Sequence, residues 1–324
     1  MRVIAILAVV LIHTSTRILE VTHYDLNTFG FDLFLNQISR FAVPLFFLIS
    51  GFALELSFNS HGSYLIFFKK RISKILVPYL FWSTIFYLFI YTKHGEDFLH
   101  ALIDGSSSYQ LYFIPALLIF YFLFPLVHKF YKLLSNKWVF ITLGIIELLL
   151  LRQDYYIKAL PINYSIRIAL LNFFVFLVGI IASRNINFIL KLGNKLKLLL
   201  VPLIIYFGFY IFNEGKAMYF KIWNIDAIYS QWRVSILIYT LLLAVFLYYI
   251  FTKMSFKIFH TLSNLSFFVF FVHTFILELI WKLVLGYNLL NPWLYILFFL
   301  SVSSISFSFA YLIHKVPALQ KLTG

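Results

Sequence analysis

The sequence lacks cysteine altogether and has few charged residues. With no cysteine among its 324 residues, it has no disulfide, no thiolate metal site and no cysteine nucleophile. Only 12% of the residues are charged, 62% are hydrophobic and the mean hydropathy is +0.92, which excludes an ordinary soluble globular protein. The nine histidines are scattered without HExxH-type spacing, and no glycine-rich phosphate loop is present. We therefore expect no metal site and no bound cofactor.

The chain consists instead of long apolar runs separated by short polar loops. A membrane-crossing helix needs about 20 apolar residues, so the length leaves room for about ten crossings and no separate soluble domain. We expect an all-α, polytopic integral membrane protein in which residues 1–324 form a single membrane-embedded domain. The first run lacks a small-residue cleavage site, which predicts a retained first transmembrane helix. The predicted spans are roughly residues 2–19, 40–58, 74–92, 110–128, 137–151, 166–183, 197–212, 232–252, 263–285 and 292–313.

Charge is sorted by sign along the chain. If the N-terminus is cytoplasmic, the inside segments hold 16 of the 26 Lys and Arg residues and no Asp or Glu. This positive-inside pattern predicts that both termini are cytoplasmic and that the lipid bilayer is a partner. It also accounts for the net charge of +14, so we expect no nucleic-acid partner. Three acids remain within apolar runs: Glu55, Glu147 and Glu278.

Arg2 and His13 stand out on the first predicted helix. Their spacing of eleven residues places them on one helix face, about 16 Å apart along the axis. The pattern favours a groove with an anion site at its mouth and a histidine base deeper inside. The alternative is a topology-setting charge and a histidine that bonds to a neighbouring helix. The spacing alone leaves both interpretations open.

Further polar residues are candidates for the same site. Arg71 and Lys74 lie three residues apart before the third span, where a cationic cluster binds either phosphate groups or anionic lipid. His273 and Glu278 lie five residues apart on the ninth span and so do not share a face. The remaining candidates for lining a cavity are Ser50, Glu55 and Tyr112.

Five segments in chain order carry a resemblance to a known family. The chain resembles the acyltransferase-3 family, bacterial ten-helix membrane proteins that O-acylate cell-surface glycans and related acceptors. Three departures are Lys74, where the family often has Arg, Tyr112, which is frequently Trp, and Met1 directly before Arg2. Family members usually have several residues before that arginine, which predicts a truncated or misassigned start. The matching segments are Arg2 to His13, Pro44 to Phe52, Phe68 to Tyr79, Gln110 to Pro115 and Ser263 to His273.

The resemblance implies a membrane-bound O-acyltransferase of the bacterial plasma membrane. It implies that His13 is the catalytic base and that Arg2, Arg71 and Lys74 bind the acyl donor. The expected co-substrate is a cytoplasmic acyl-CoA, acetyl-CoA or succinyl-CoA, and the expected acceptor is a hydroxyl of an envelope glycan, an exopolysaccharide or a lipid-linked sugar. A polysaccharide exporter or flippase is the alternative, although the chain has no clear internal repeat of the kind common in transporters. A sensor or a purely structural membrane protein is a third possibility.

Overall fold

The computed structural model describes residues 1–21, 30–58, 63–90, 97–157, 159–222, 226–253, 257–284 and 291–322. This part of the chain is helical and contains no β-strand, which confirms the all-α fold class. Two short π-helical segments follow α4 and α8, and a 3₁₀ helix, Pro317–Leu322, follows the last α-helix. The α-helices are α1 (Arg2–Val21), α2 (Phe31–Ser39), α3 (Ala42–Phe58), α4 (Tyr64–Ile85), α5 (Phe98–Asp104), α6 (Phe113–Lys129), α7 (Tyr131–Leu134), α8 (Lys137–Arg152), α9 (Tyr164–Leu170), α10 (Phe173–Arg184), α11 (Ile186–Ile222), α12 (Asp226–Tyr229), α13 (Val234–Lys253), α14 (Lys257–Val284) and α15 (Pro292–His314).

The helices form two compact units. The first comprises Met1–Val43, Lys195–Gln231 and Ser235–Thr323. Its core includes buried apolar side chains from α1, α14 and α15, among them Val10, Leu277 and Phe298. Trp281 packs against Phe298 with ring centroids 5.9 Å apart. This packing brings α1 beside α14, the two helices that carry the histidines of the sequence motifs.

The second unit comprises Pro44–Asn194 and Trp232–Val234. Its centre is aromatic: Phe47 packs against Phe113 and Phe120, with ring centroids 4.7 and 5.1 Å apart. Phe120 in turn stacks on Phe176 at 4.5 Å. Aromatic pairs at such distances add to the free energy gained by burying their area, so α3, α6 and α10 are joined through one cluster.

Seven helical segments of the described chain are long and apolar enough to cross a membrane, or eight if α9 and α10 form one bent span. Many large apolar side chains point outward; Leu198, Leu283 and Trp293 are more than three-quarters exposed. Exposed apolar surface on this scale fits a lipid environment rather than water. The chain is thus a multi-pass membrane protein, while the count of ten remains a prediction. Helices also form at the other predicted spans, but α6 and α8 have only 17 and 16 residues.

The second membrane segment begins earlier than predicted. It runs as a single candidate span over Phe31–Phe58, whereas the sequence predicted a start at residue 40. The difference arises because α2 and its C-cap residue carry polar side chains that lower the hydropathy of this segment, including Asn36, Gln37 and Arg40. All three are buried and hydrogen-bonded to other protein groups. Polar groups are tolerated at membrane depth when the protein itself satisfies them.

Glu147 has a structural role in the bend between α9 and α10. The two helices meet at 46°, and the carboxylate of Glu147 accepts a hydrogen bond of 2.6 Å from the backbone N–H of Phe174, in the first turn of α10. A carboxylate at a helix N-terminus satisfies a backbone donor and interacts favourably with the helix dipole. One of the three intramembrane acids is thereby explained by the fold.

Gly51 and Gly179 allow α3 and α10 to pack with their backbones in contact. A Cβ atom at Gly51 would overlap the carbonyl oxygen of Phe176, and one at Gly179 would overlap that of Leu48. The Ser50-Gly51-Phe52 segment therefore lies at a small-residue helix interface of the kind common in membrane proteins.

Substitution Gly51→Ala is expected to destabilise the protein by about 1–3 kcal/mol, because a backbone carbonyl cannot move aside as a flexible side chain can. The matched control is Gly208→Ala on α11, where the nearest atom to a new Cβ is an ordinary 3.7 Å away. That variant should be neutral or slightly stabilised. Thermal unfolding in detergent measures both, and equal melting temperatures for the two variants would contradict the packing.

Candidate functional site

The first unit contains a pair of neighbouring histidines. His13 on α1 and His273 on α14 have ring centroids 5.3 Å apart, with ring planes tilted by 35°. His273 is completely buried and His13 is partly buried. The two histidines of separate sequence motifs are therefore neighbours in the fold.

The hydrogen bonding of His273 defines its tautomer. Its Nδ1 lies 3.0 Å from the carbonyl oxygen of Val269, one turn earlier on α14. A carbonyl only accepts, so Nδ1 donates its proton there and a neutral ring carries a bare lone pair on Nε2. Within the described part of the chain, Nε2 has no hydrogen-bond partner. A buried acceptor without a partner is costly and calls for an explanation.

A polar cluster on α2 supports α1 around His13. The side-chain N–H₂ of Asn36 lies 2.9 to 3.3 Å from Ser15 Oγ, Thr16 Oγ1 and the carbonyl oxygen of Ile12. Arg40 donates two hydrogen bonds, of 3.0 and 2.6 Å, to Asn36 Oδ1. These contacts attach the segment of α1 on either side of His13 to α2, which fixes the position of the imidazole.

Glu278, five residues after His273 on α14, forms an ion pair. Its carboxylate is 3.1 Å from the guanidinium of Arg17, which also stacks over the ring of Trp281 at 5.4 Å. On α1, Arg17 follows His13 by four residues, and on α14, Glu278 follows His273 by five. Because His13 lies beside His273 and Arg17 pairs with Glu278, α1 and α14 run in the same direction. Although His273 and Glu278 do not share a face, both contact α1. The carboxylate of Glu278 is thus compensated by a cation rather than left as an isolated base.

The basic cluster of the second unit lies in the first half of α4. Arg71 donates a hydrogen bond of 2.5 Å to Ser57 Oγ and lies 5.4 Å over the ring of Phe67. Its guanidinium is thus held in one orientation, while Lys74 is exposed one turn later. In the first unit, Arg2 is exposed at the beginning of α1. Exposed cations of this kind suit an anionic ligand.

Glu55 takes part in a buried ion pair that sequence reasoning missed. The residue is completely buried, and its carboxylate accepts a hydrogen bond of 2.7 Å from Arg184 Nε, with a second guanidinium nitrogen also in contact. His128 Nδ1 lies 3.0 Å from the same carboxylate. Among the described residues, no group of three His, Asp or Glu side chains is arranged to hold a metal ion.

The remaining candidates, Ser50 and Tyr112, both belong to the second unit. Ser50 precedes the close contact made by Gly51. Tyr112 lies in a cleft with Tyr164, and their ring centroids are 5.7 Å apart.

The comparisons with known proteins identify the family. A family model described as an acyltransferase domain matches residues 1–315 of the chain. The chain belongs to the acyltransferase-3 family. Comparison with curated proteins and with solved structures yields no significant match. The protein is accordingly a membrane protein with an acyltransferase-type function.

Several residues that support the candidate site of this acyltransferase-3 protein were missed by sequence reasoning. Asn36 and Arg40 were assigned to a loop and to a span end, although they support the helix that carries His13. The sequence does carry a signal for this supporting role. A short helical segment next to a strongly apolar run contains three polar residues, Asn36, Gln37 and Arg40. Arg184 lies directly after the predicted span 166–183, where a cation is typical of the positive-inside pattern.

The ion pair of Glu55 and Arg184 generates a stability prediction. Arg184→Met should destabilise the acyltransferase-3 protein by about 1–3 kcal/mol, since the buried carboxylate of Glu55 loses its guanidinium and keeps only the contact with His128. The double variant Arg184→Met with Glu55→Gln should recover most of that loss, because it removes both charges. Lys132→Met on α7, where the lysine is exposed, is the matched control. Melting temperatures in detergent measure all three, and a double variant no more stable than Arg184→Met would contradict this account.

Proposed function

We propose that this protein transfers an acyl group, acetyl or succinyl, from acyl-CoA to a hydroxyl of an envelope glycan, an exopolysaccharide or a lipid-linked sugar. The reaction would take place in the bacterial plasma membrane, with the donor bound from the cytoplasm. Family membership supports acyl transfer as the reaction class. The observation that carries the mechanism is the pair formed by His13 and His273, whose ring centroids lie 5.3 Å apart.

In this mechanism His13 acts as the general base. It removes the proton from the acceptor hydroxyl while the oxygen attacks the thioester carbonyl of the acyl-CoA. The new C–O ester bond forms, the C–S bond breaks, and the CoA thiolate receives the proton back from His13. A positioned base of this kind contributes about 10²- to 10⁴-fold to a reaction rate.

His273 acts in this proposal through His13, as a positioning residue. When His13 takes up the proton, a cation forms directly beside the completely buried ring of His273. The bare Nε2 of His273 accepts a hydrogen bond from a protonated neighbour and so stabilises that transient charge. This role also accounts for the tautomer of His273, because Val269 holds the other nitrogen as a donor.

The donor is assigned to Arg2, Arg71 and Lys74. A CoA molecule carries several phosphate charges, and arginine binds phosphate through two parallel hydrogen bonds. The bond of Arg71 to Ser57 uses one donor of the guanidinium and leaves others for a ligand. Binding to a pre-oriented guanidinium also requires less ordering of the side chain.

The test uses purified protein in detergent, with acetyl-CoA or succinyl-CoA as donor. The acceptor is the envelope glycan fraction of cells that lack the gene. We expect His13→Ala to lower kcat at least about 100-fold, with the thermal stabilisation by acyl-CoA retained. His260→Ala, at an exposed histidine on α14, is the control and should match the wild type. Unchanged CoA release by a folded His13→Ala variant would contradict the mechanism.

Two variants of His273 extend the same assay. His273→Leu should lower kcat by about tenfold, the effect of losing one hydrogen bond to a charged group, at an unchanged KM for acyl-CoA. His273→Gln supplies an amide oxygen as acceptor and should recover part of that loss. Equal rates for the two variants would show a packing role only. A glycan exporter has no reason to recognise CoA, so a wild-type protein that acyl-CoA does not stabilise would favour the exporter.

A further inference from the structure

A second site with a different chemistry lies in the second unit. A cleft of about 420 Å³ lies between the turn after α5 and the start of α9. The residues that give it its character are Asp104, Ser106, Ser108, Tyr109, Tyr112 and Tyr164. Its volume falls in the range of about 300–1,000 Å³ typical of small-molecule sites.

The cleft has a shape that the backbone maintains. Gly105 ends α5 in the left-handed conformation, with φ of 71°, and a Cβ there would come within 2.6 Å of the Cα of Tyr112. Only glycine adopts this conformation at such close range without strain. The turn is therefore pressed against the backbone of Tyr112, which positions that ring at the edge of the cleft.

Asp104 is held in a fixed orientation. One carboxylate oxygen accepts a hydrogen bond of 2.6 Å from the side-chain N–H₂ of Asn163. The side-chain oxygen of Asn163 is in turn engaged by the backbone N–H groups of Ser165 and Ile166, at the start of α9. An ionised carboxylate accepts several hydrogen bonds, so Asp104 keeps capacity to accept from a ligand.

The tyrosines provide aromatic faces at an angle to each other. The rings of Tyr112 and Tyr164 meet at 70° with centroids 5.7 Å apart. Arg167 lies 5.2 Å over the ring of Tyr164 and is itself paired with Asp154, so the position of this ring is stabilised by a paired cation. Tyr109 and Tyr164 are both exposed, so a ligand in the cleft can contact their rings.

This combination selects one chemical class of ligand. The C–H face of a pyranose packs against the electron-rich face of an aromatic ring, and its hydroxyl groups donate to a carboxylate. None of the described lining residues is Lys or Arg, so the cleft does not suit the phosphates of a CoA donor. Both loops that form it fall in segments that the charge pattern predicts to be outside, where envelope glycans are found.

We propose that the cleft of Tyr109, Tyr112, Tyr164 and Asp104 binds a neutral sugar residue of the acceptor glycan. The assignment rests on the proposed function for the role of that glycan as acceptor. The site then determines which saccharide the protein modifies, whereas His13 and the basic residues determine the chemistry and the donor.

The closing experiment measures binding and transfer separately on the purified full-length protein. The probes are two fractions from cells lacking the gene, the polymeric envelope glycan and the solvent-extracted lipid-linked saccharides. Tyr164→Ala and the isosteric Asp104→Asn should each weaken binding by about fivefold or more and raise the KM for the same fraction with kcat retained. Tyr156→Ala is the matched control, because its side chain is 39% exposed against 38% for Tyr164 and does not line the cleft. Stabilisation by acyl-CoA should be the same in all variants.

The outcomes separate the two proposals. The sugar site is supported if Tyr164→Ala and Asp104→Asn bind either fraction more weakly while Tyr156→Ala binds it as the wild type does. This holds even if no acyl transfer is detected. The fraction whose binding is weakened identifies the source of the sugar. Acyl transfer by the wild type with no difference in KM or binding among the variants overturns the sugar site and leaves the proposed function standing. Absence of binding of both fractions by the wild type overturns the sugar site as well.

Discussion

The requirement that every polar group at membrane depth finds its partner within the protein governs this structure. Lipid offers no hydrogen bonds, so an isolated charge or an unpaired backbone group is costly there. Each of the three acids within apolar segments has at least one such partner. Glu55 pairs with Arg184, Glu278 pairs with Arg17, and Glu147 accepts the N–H of Phe174. Each of these contacts also joins two helices of the same unit, so the contacts that satisfy the acids stabilise the packing within each unit.

Several buried polar atoms depart from this rule, and at His273 the unpartnered atom belongs to a ring beside a second histidine. One nitrogen is bonded to its own helix, whereas Nε2 lacks a partner within the described residues, and the ring lies beside His13. Natural proteins tend to retain such local costs at sites where chemistry takes place. The proposed role of the pair in proton transfer gives that cost a reason, and the network of Asn36 and Arg40 explains how the geometry is maintained.

The sequence predicted the fold class and the family, but not which residues of different helices are in contact. Hydropathy predicted an all-helical membrane protein, and the motifs predicted the family, because both are properties of local segments. Helical spacing placed Arg2 and His13 on one face, since 3.6-residue periodicity follows from the backbone alone. That His13 lies beside His273, 260 residues later, depends on packing that no local pattern encodes. The partner of Glu147 is a backbone N–H group, which carries no sequence signal. Asn36 and Arg40 were missed because their polarity resembles that of a loop.

The central claim is that the histidine pair carries out acyl transfer to a glycan of the cell envelope. It is tested most directly by mass spectrometry of envelope glycans from three strains that carry the wild-type gene, the His13→Ala gene or no gene. The account predicts an acetyl or succinyl ester on a glycan of the first strain only, with the His13→Ala protein present in the membrane at the wild-type level. Identical glycan masses in all three strains, or ester formation by His13→Ala, would contradict it.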